Sequence, residues 1–152
     1  MLEFNCRFGD PETQAVPPLL ETNLYEIVLA CCDETLSQLD VRFKEDTCAA
    51  TVVCAAKGYP GPYPKGMEIR GIPAADRLEG VKVYHAGTKL DRDQTRTSGG
   101  RVLAVTGIGR TLSDAVRASY ARVSEIAFTD GSNKPSKLLH HRTDIANAAL
   151  CP

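Results

Sequence analysis

The chain has 152 residues, of which 43% are hydrophobic and 24% are charged, and its net charge is -1. This size and composition indicate one or two folded domains and exclude a disordered, collagen-like or coiled-coil protein. The best apolar run, residues 48–56, is shorter than half of the roughly 20 residues that a membrane-spanning helix needs, so we expect no membrane association.

The first part of the chain predicts a strand, a turn and two helices. Apolar and polar residues alternate over residues 2–6, which is the pattern of a strand. Gly9 permits a turn, and Asp10, Pro11 and Glu12 are typical of the N-cap, first position and first turn of a helix. A second helix is expected over residues 23–34, where apolar side chains recur at helical spacing.

Strands dominate the predicted structure from residue 47. Small and β-branched residues predict a buried strand over residues 47–56, followed by a loop rich in glycine and proline. Thr111 and Asp114 predict the start of the main helix, which carries an apolar face as far as Ile126. A surface loop is expected over residues 129–137, and a short helix from Thr143. Further strands are predicted over residues 67–70, 81–85 and 101–106.

The element pattern and the charge both divide the chain near residue 46. The predicted fold class is α+β, with a first unit over residues 1–46 and a compact sheet with one main helix over residues 47–152. Residues 1–46 carry a net charge of -7, whereas residues 47–152 carry +6. Because acids separate the basic residues of the second part and aromatic residues are few, we expect no nucleic-acid partner.

Two features predict a cytoplasmic protein. The first residues place Glu3 where a secretory signal has basic residues, and they lack its long apolar core. The six cysteines form no Cys-x-x-Cys pair, so reduced thiols are favoured over a zinc site or a disulfide framework.

The first predicted strand is a candidate functional site. Strand alternation places Glu3, Asn5 and Arg7 on one face. A carboxylate and an amide oxygen are hard ligands suited to Mg²⁺, and an arginine beside them could neutralise an oxyanion. The alternative is a half-exposed edge strand whose polar residues face water, and alternation alone favours that alternative.

A longer stretch that contains this strand, residues 3–14, resembles the motif near the end of the ATP-grasp domain in the phosphoribosylamine-glycine ligase (glycinamide ribonucleotide synthetase) family. Five further strings, in the family's order, are similar to signatures of its C-terminal domain, so the resemblance covers nearly the whole chain. These strings are Lys57-Gly58-Tyr59-Pro60-Gly61, Lys65-Gly66, His85-Ala86-Gly87-Thr88, Gly99-Gly100-Arg101-Val102-Leu103 and Arg142-Thr143-Asp144-Ile145.

The resemblance implies a fold and a reaction. Residues 1–46 would be the terminal strand-loop-helix piece of an ATP-grasp domain, and residues 47–152 a small, mostly antiparallel C-terminal domain. In the family's reaction, ATP phosphorylates the glycine carboxylate and the amine of 5-phosphoribosylamine attacks the glycyl phosphate. Glycinamide ribonucleotide, ADP and phosphate leave, as a step of purine biosynthesis.

The resemblance also implies roles for site residues. Glu3 and Asn5 match the family's Mg²⁺ or Mn²⁺ ligands, and Arg7 matches the arginine that points at the acyl group being activated. Asp10 and Glu12 match acids at the mouth of the substrate site, although a helix cap and its dipole partner explain both residues equally well.

Other polar residues of the second part have simpler interpretations. Lys65 or Arg101 could contact the ribose phosphate; the alternative is that these segments only shape a loop and contact no ligand. A structural role is preferred for His85, and no metal site is expected at His140 and His141.

The match predicts an incomplete enzyme. Only Met1 and Leu2 precede Glu3, so we expect most of the ATP site and the glycine-binding domain to be missing, and the chain alone to be inactive. Its expected partners are glycine, 5-phosphoribosylamine, ATP as co-substrate and the missing N-terminal part of the ligase. The alternative is a stand-alone, non-catalytic module that binds a phosphorylated metabolite or a partner subunit. An ATP-grasp carboxylase relative is a weaker third reading.

Overall fold

The computed structural model describes residues 4, 6–72, 80–131 and 138–150, which form two four-stranded sheets and several helices. The predicted α+β class is confirmed. The helices are α1 (Glu12–Ala15), α2 (Leu24–Cys32), α3 (Leu112–Val123) and α4 (Asn147–Leu150). The strands are β1 (Cys48–Ala56), β2 (Glu68–Arg70), β3 (Val81–His85), β4 (Thr88–Asp91), β5 (Gln94–Thr97), β6 (Arg101–Gly109), β7 (Ala127–Thr129) and β8 (Leu139–His140).

The first sheet has the strand order β3-β6-β1-β8, and each of its strand pairs is antiparallel. Its two long central strands, β1 and β6, confirm the predicted strands, although β6 continues three residues beyond the predicted end at Thr106. Val52 lies opposite Val105, and both side chains are fully buried. This sheet therefore supplies the rigid centre of the molecule.

The second sheet has the order β4-β5-β2-β7 and contains three strands that the sequence did not predict. Strands β4 and β5 form a hairpin whose tip, Arg92 and Asp93, has positive φ angles of 46° and 67°. Most residues of these two strands are polar and at least partly exposed. Their sequences therefore lack the apolar alternation that identifies a strand. The third, β7, lies just before the predicted surface loop and ends at its first residue, Thr129.

Helix α3 packs on β1 and β6 of the first sheet, and its predicted start is confirmed. The Thr111 side chain accepts a hydrogen bond from the Asp114 backbone N–H at 3.1 Å and donates one to the Asp114 carboxylate at 2.7 Å. Farther along the helix, the buried Ser119 hydroxyl donates to the Ala50 carbonyl at 2.7 Å and accepts from Gly107 N–H at 2.8 Å. The helix is therefore attached to both central strands by one side chain.

Cys54 places a titratable thiol in the core. Cys54 is fully buried on β1, and desolvation raises the pKa of its thiol from 9.0 to about 12. The thiolate is disfavoured because an apolar environment cannot solvate its charge.

Raising the pH should destabilise the fold through Cys54. Unfolding returns the thiol to its ordinary pKa, so between about pH 9 and pH 12 the unfolded chain binds fewer protons and stability falls. Between pH 8 and pH 10.5, wild type should lose about 2 kcal/mol more of its free energy of unfolding than Cys54→Ala does. Urea unfolding at both pH values measures this difference, and parallel losses would contradict the assignment.

The first part of the chain confirms one of the predicted elements and corrects another. Helix α2 is confirmed, with the Asn23 side chain accepting from Tyr25 N–H at its start. Helix α1 begins at Glu12, but Pro11 is its N-cap and makes no side-chain capping bond, so Asp10 is not the cap. The predicted strand over residues 2–6 lies mostly outside the described residues, and so does most of the predicted surface loop over residues 129–137.

Candidate functional site

The turn that leads into α1 is compact at Gly9. The Glu12 carboxylate lies so close to the Gly9 Cα that a Cβ at this position would overlap it. Thr13 N–H and the Thr13 hydroxyl both donate to the Gly9 carbonyl. A Cβ at Gly9 would displace the Glu12 carboxylate, which ends a flexible side chain. Glu12 lies at the first position of the helix, where a carboxylate interacts favourably with the helix dipole.

Asp10 is held by the second part of the chain. Arg101, the first residue of β6, donates to the Asp10 carbonyl at 2.7 Å and pairs with its carboxylate at 3.3 Å. The other carboxylate oxygen of Asp10 accepts from the Gln14 side chain at 2.9 Å. Asp10 is therefore oriented by an ion pair and two hydrogen bonds instead of capping the helix.

A second contact attaches α1 to the first sheet. The Thr106 hydroxyl of β6 donates to the Gln14 carbonyl at 2.9 Å. Thr51, opposite Thr106 on β1, hydrogen-bonds to the same hydroxyl at 2.7 Å. Since a hydroxyl has a single proton, Thr51 is the donor in that bond. Strand β6 thus contacts both ends of the segment formed by residues 10–14.

Arg7, the predicted catalytic residue, lies on the surface. It donates to the carbonyl of its neighbour Phe8 at 2.9 Å, and in the described part of the chain no hydrogen bond or ion pair joins it to Asp10 or Glu12. The structure therefore brings Asp10 close to Arg101, and Glu12 close to Gly9, while Arg7 remains accessible.

The predicted metal ligands Glu3 and Asn5 lie outside the described residues. Their donor set, one carboxylate and one amide oxygen, fits Mg²⁺ or Mn²⁺, which prefer oxygen ligands. Within the described ranges, no group of three or more histidine, cysteine, aspartate or glutamate side chains could hold a metal ion.

An apolar groove of about 320 Å³ opens beside the turn. None of the described residues before Thr47 is buried, and large apolar side chains there face solvent, including Phe8 at 65% and Phe43 at 50% exposure. An apolar surface of this kind on a folded chain marks an interaction site. The groove is lined by Phe8, Val16, Leu20, Leu24, Ile27 and Phe43, among others.

Two other polar residues singled out from the sequence have protein partners. Lys65 lies with its ammonium 5.7 Å from the centre of the Tyr63 ring. His85 shares a hydrogen bond of 2.9 Å with Thr88, which fits the structural role expected of it.

The contact between Thr106 and Gln14 was not predicted from the sequence. Both residues lie inside regular elements, and nothing in the local sequence pairs them. Their partners are about 90 residues away in the chain, so only the folded structure brings them together.

Together, the two antiparallel sheets and helix α3 define an α+β domain, to which the N-terminal segment is attached through β6. The family described as "Phosphoribosylglycinamide synthetase, C domain" matches residues 49–148, and the chain belongs to this family. Of the helices that the structure describes, none combines the length and apolar character that crossing a bilayer takes.

Curated relatives and a crystal structure are similar to most of this chain. A phosphoribosylamine-glycine ligase of Synechocystis is 47% identical over 99% of this chain, which spans 34% of the relative. The chain is also 48% identical, over 84% of its length, to a trifunctional purine biosynthetic protein, adenosine-3, of Homo sapiens, of which it spans 13%. A crystal structure of phosphoribosylamine-glycine ligase from Thermotoga maritima matches 96% of this chain and 33% of its own, with 31% identity and a TM-score of 0.69. The chain thus spans about a third of the single-function relatives.

Proposed function

We propose that this chain is the C-terminal portion of an ATP-dependent ligase that joins glycine to 5-phosphoribosylamine in cytoplasmic purine biosynthesis. The observation that carries the proposal is the 47% identity to a phosphoribosylamine-glycine ligase over 99% of the chain, which includes the segment before the family match. Residues 1–46 end the ATP-grasp domain, and residues 47–152 form the C domain.

The proposed roles follow the chemistry of the reaction. Both steps move or displace a phosphoryl group, so they require positive charge on phosphate and acyl oxygens. Glu3 and Asn5 would hold Mg²⁺ or Mn²⁺, which supplies that charge at the phosphates. Arg7, exposed and next to the turn, is available to the glycyl group, and Asp10 and Glu12 lie at the entry to α1, where a substrate amine could approach two carboxylates.

The exposed groove supports the proposal that the rest of the ligase is the partner. The part of the Synechocystis relative that this chain does not span is about twice as long as the chain. Residues 4–46 bury no side chain within the described structure, yet they present large apolar groups on α2 and around it, such as Tyr25 and Val28. Covering these groups with the missing part of an ATP-grasp domain removes apolar area from water, which is favourable.

Restoring the missing part tests the proposal. We would join this chain to the preceding two thirds of the Synechocystis ligase and measure glycine-dependent ADP formation with 5-phosphoribosylamine. The fusion should turn over, whereas the chain alone should not. The unmodified Synechocystis enzyme is the control for the assay.

Two results would contradict the proposal. One is a fusion that is monodisperse and folded by circular dichroism but inactive. The other is an isolated chain that is monodisperse and binds no hydrophobic dye, since the groove would then need no partner. Either result would favour the stand-alone binding module.

A further inference from the structure

Arg101 lies where the two parts of the chain meet. It is the first residue of β6. Its guanidinium nitrogens Nη1 and Nη2 contact the carbonyl and the carboxylate of Asp10, which lies 91 positions earlier in the chain. A guanidinium that binds a carbonyl and a carboxylate of one residue fixes the backbone and the side chain of that residue together.

The backbone that carries Arg101 is rigid. The Gly100 carbonyl accepts from Ala56 N–H at 2.8 Å, and Arg101 lies opposite Ala55 in the first sheet. A Cβ at Gly100 would overlap the ring of Tyr59, so the ring packs directly on the main chain just before Arg101. The guanidinium therefore extends from a fixed point.

The segment that Arg101 holds has few other anchors. Helix α1 is only four residues long, too short to be stable alone, and none of its residues is buried. Its attachment to the sheet runs through Arg101 at Asp10 and through Thr106 at Gln14. Polar contacts from β6 thus add to the partial burial of Thr13, Gln14 and Ala15 in holding the helix.

We propose that Arg101 is a positioning residue of the ligase: through Asp10, it holds the turn over residues 9–12 in the geometry that the reaction requires. This inference rests on the proposed function. Arg101 belongs to the C domain, whereas Asp10, Glu12 and Arg7 belong to the preceding unit, so the contact makes the catalytic geometry depend on the C domain. An error of about 1 Å in such a geometry costs about a hundredfold in rate.

Hydrogen exchange on the 152-residue chain tests the attachment without any activity. The amides of Thr13, Gln14 and Val16 donate to carbonyls of the turn and of α1, so their exchange reports the opening of this segment. In Arg101→Gln they should exchange about tenfold faster, because a charged hydrogen bond is lost. The matched control is Arg117→Gln, which removes an exposed arginine paired with Asp114 in its own helix and should leave these amides unchanged. Unchanged exchange in Arg101→Gln would overturn the inference.

Kinetics of the fusion test the positioning role. Arg101→Gln should lower kcat by about tenfold to a hundredfold with little change in the KM for ATP, and Arg101→Lys should recover part of the loss. Asp10→Asn combined with Arg101→Gln should cost less than the two single changes predict, since both act on one contact.

The outcomes separate the two claims. A raised KM for 5-phosphoribosylamine with an unchanged kcat would mean that Arg101 binds the ribose phosphate directly, which overturns positioning. An inactive wild-type fusion would contradict the proposed function, and with it the catalytic part of this inference. The exchange result would still decide whether Arg101 holds the turn.

Discussion

Replacing Glu3 with alanine in the complete ligase should lower glycine-dependent ADP formation by about a thousandfold. The change removes the carboxylate of the proposed metal pair and leaves Asn5 as a single neutral ligand. A divalent ion held by one amide oxygen binds weakly, because carboxylate charge supplies most of the attraction for Mg²⁺. The initial rate with saturating ATP, glycine and 5-phosphoribosylamine measures the effect.

The metal assignment also predicts how the activity of Glu3→Ala depends on the Mg²⁺ concentration. Raising the Mg²⁺ concentration should recover part of the activity of Glu3→Ala, because weaker binding is offset by mass action. Glu45→Ala is the matched control: it removes an exposed carboxylate near the end of the same unit, and it should change neither the rate nor the Mg²⁺ requirement. Unaltered turnover in Glu3→Ala, or an unaltered Mg²⁺ requirement, would refute the role of Glu3.

Elements with strong local signals could be predicted from the sequence. Thr111 with Asp114 marks the start of α3 because both partners of the cap lie within one turn of chain. The β-branched run of β1 likewise identifies a buried strand from its own residues. The hairpin of β4 and β5 was missed because its polar strands are stabilised by pairing, which leaves no apolar pattern in the sequence.

The site was harder to predict because its contacts are distant in the chain. Asp10 next to Pro11 has the local pattern of an N-cap, and that interpretation was wrong. A capping aspartate accepts from backbone amides of the next turn, but here the carboxylate interacts with Arg101 and Gln14. A cationic partner is a stronger hydrogen-bond donor than a backbone amide, so the tertiary contact prevails over the local preference.

Replacing Gly107 with alanine should destabilise the protein by about 3 kcal/mol or more, because α3 lies directly on this position of β6. A Cβ at Gly107 would overlap the Ala115 carbonyl and lie 2.7 Å from the Ser119 backbone nitrogen. Both neighbours are helix backbone, so no side-chain rotation can relieve the overlap. The helix must move away, and the Ser119 hydroxyl then loses its bonds to Ala50 and Gly107.

Urea unfolding at neutral pH measures this change, and Gly61→Ala is the control. Gly61 lies in the loop after β1, and a Cβ there would approach one carbonyl, of Gly58, at 3.2 Å, so about 1 kcal/mol or less is expected. A Gly107→Ala protein as stable as the control would mean that α3 does not pack on β6 as described. Because β6 also carries Arg101 and Thr106, a shift of this strand should loosen α1 as well, and the amides of Thr13 and Gln14 should exchange faster in Gly107→Ala than in Gly61→Ala.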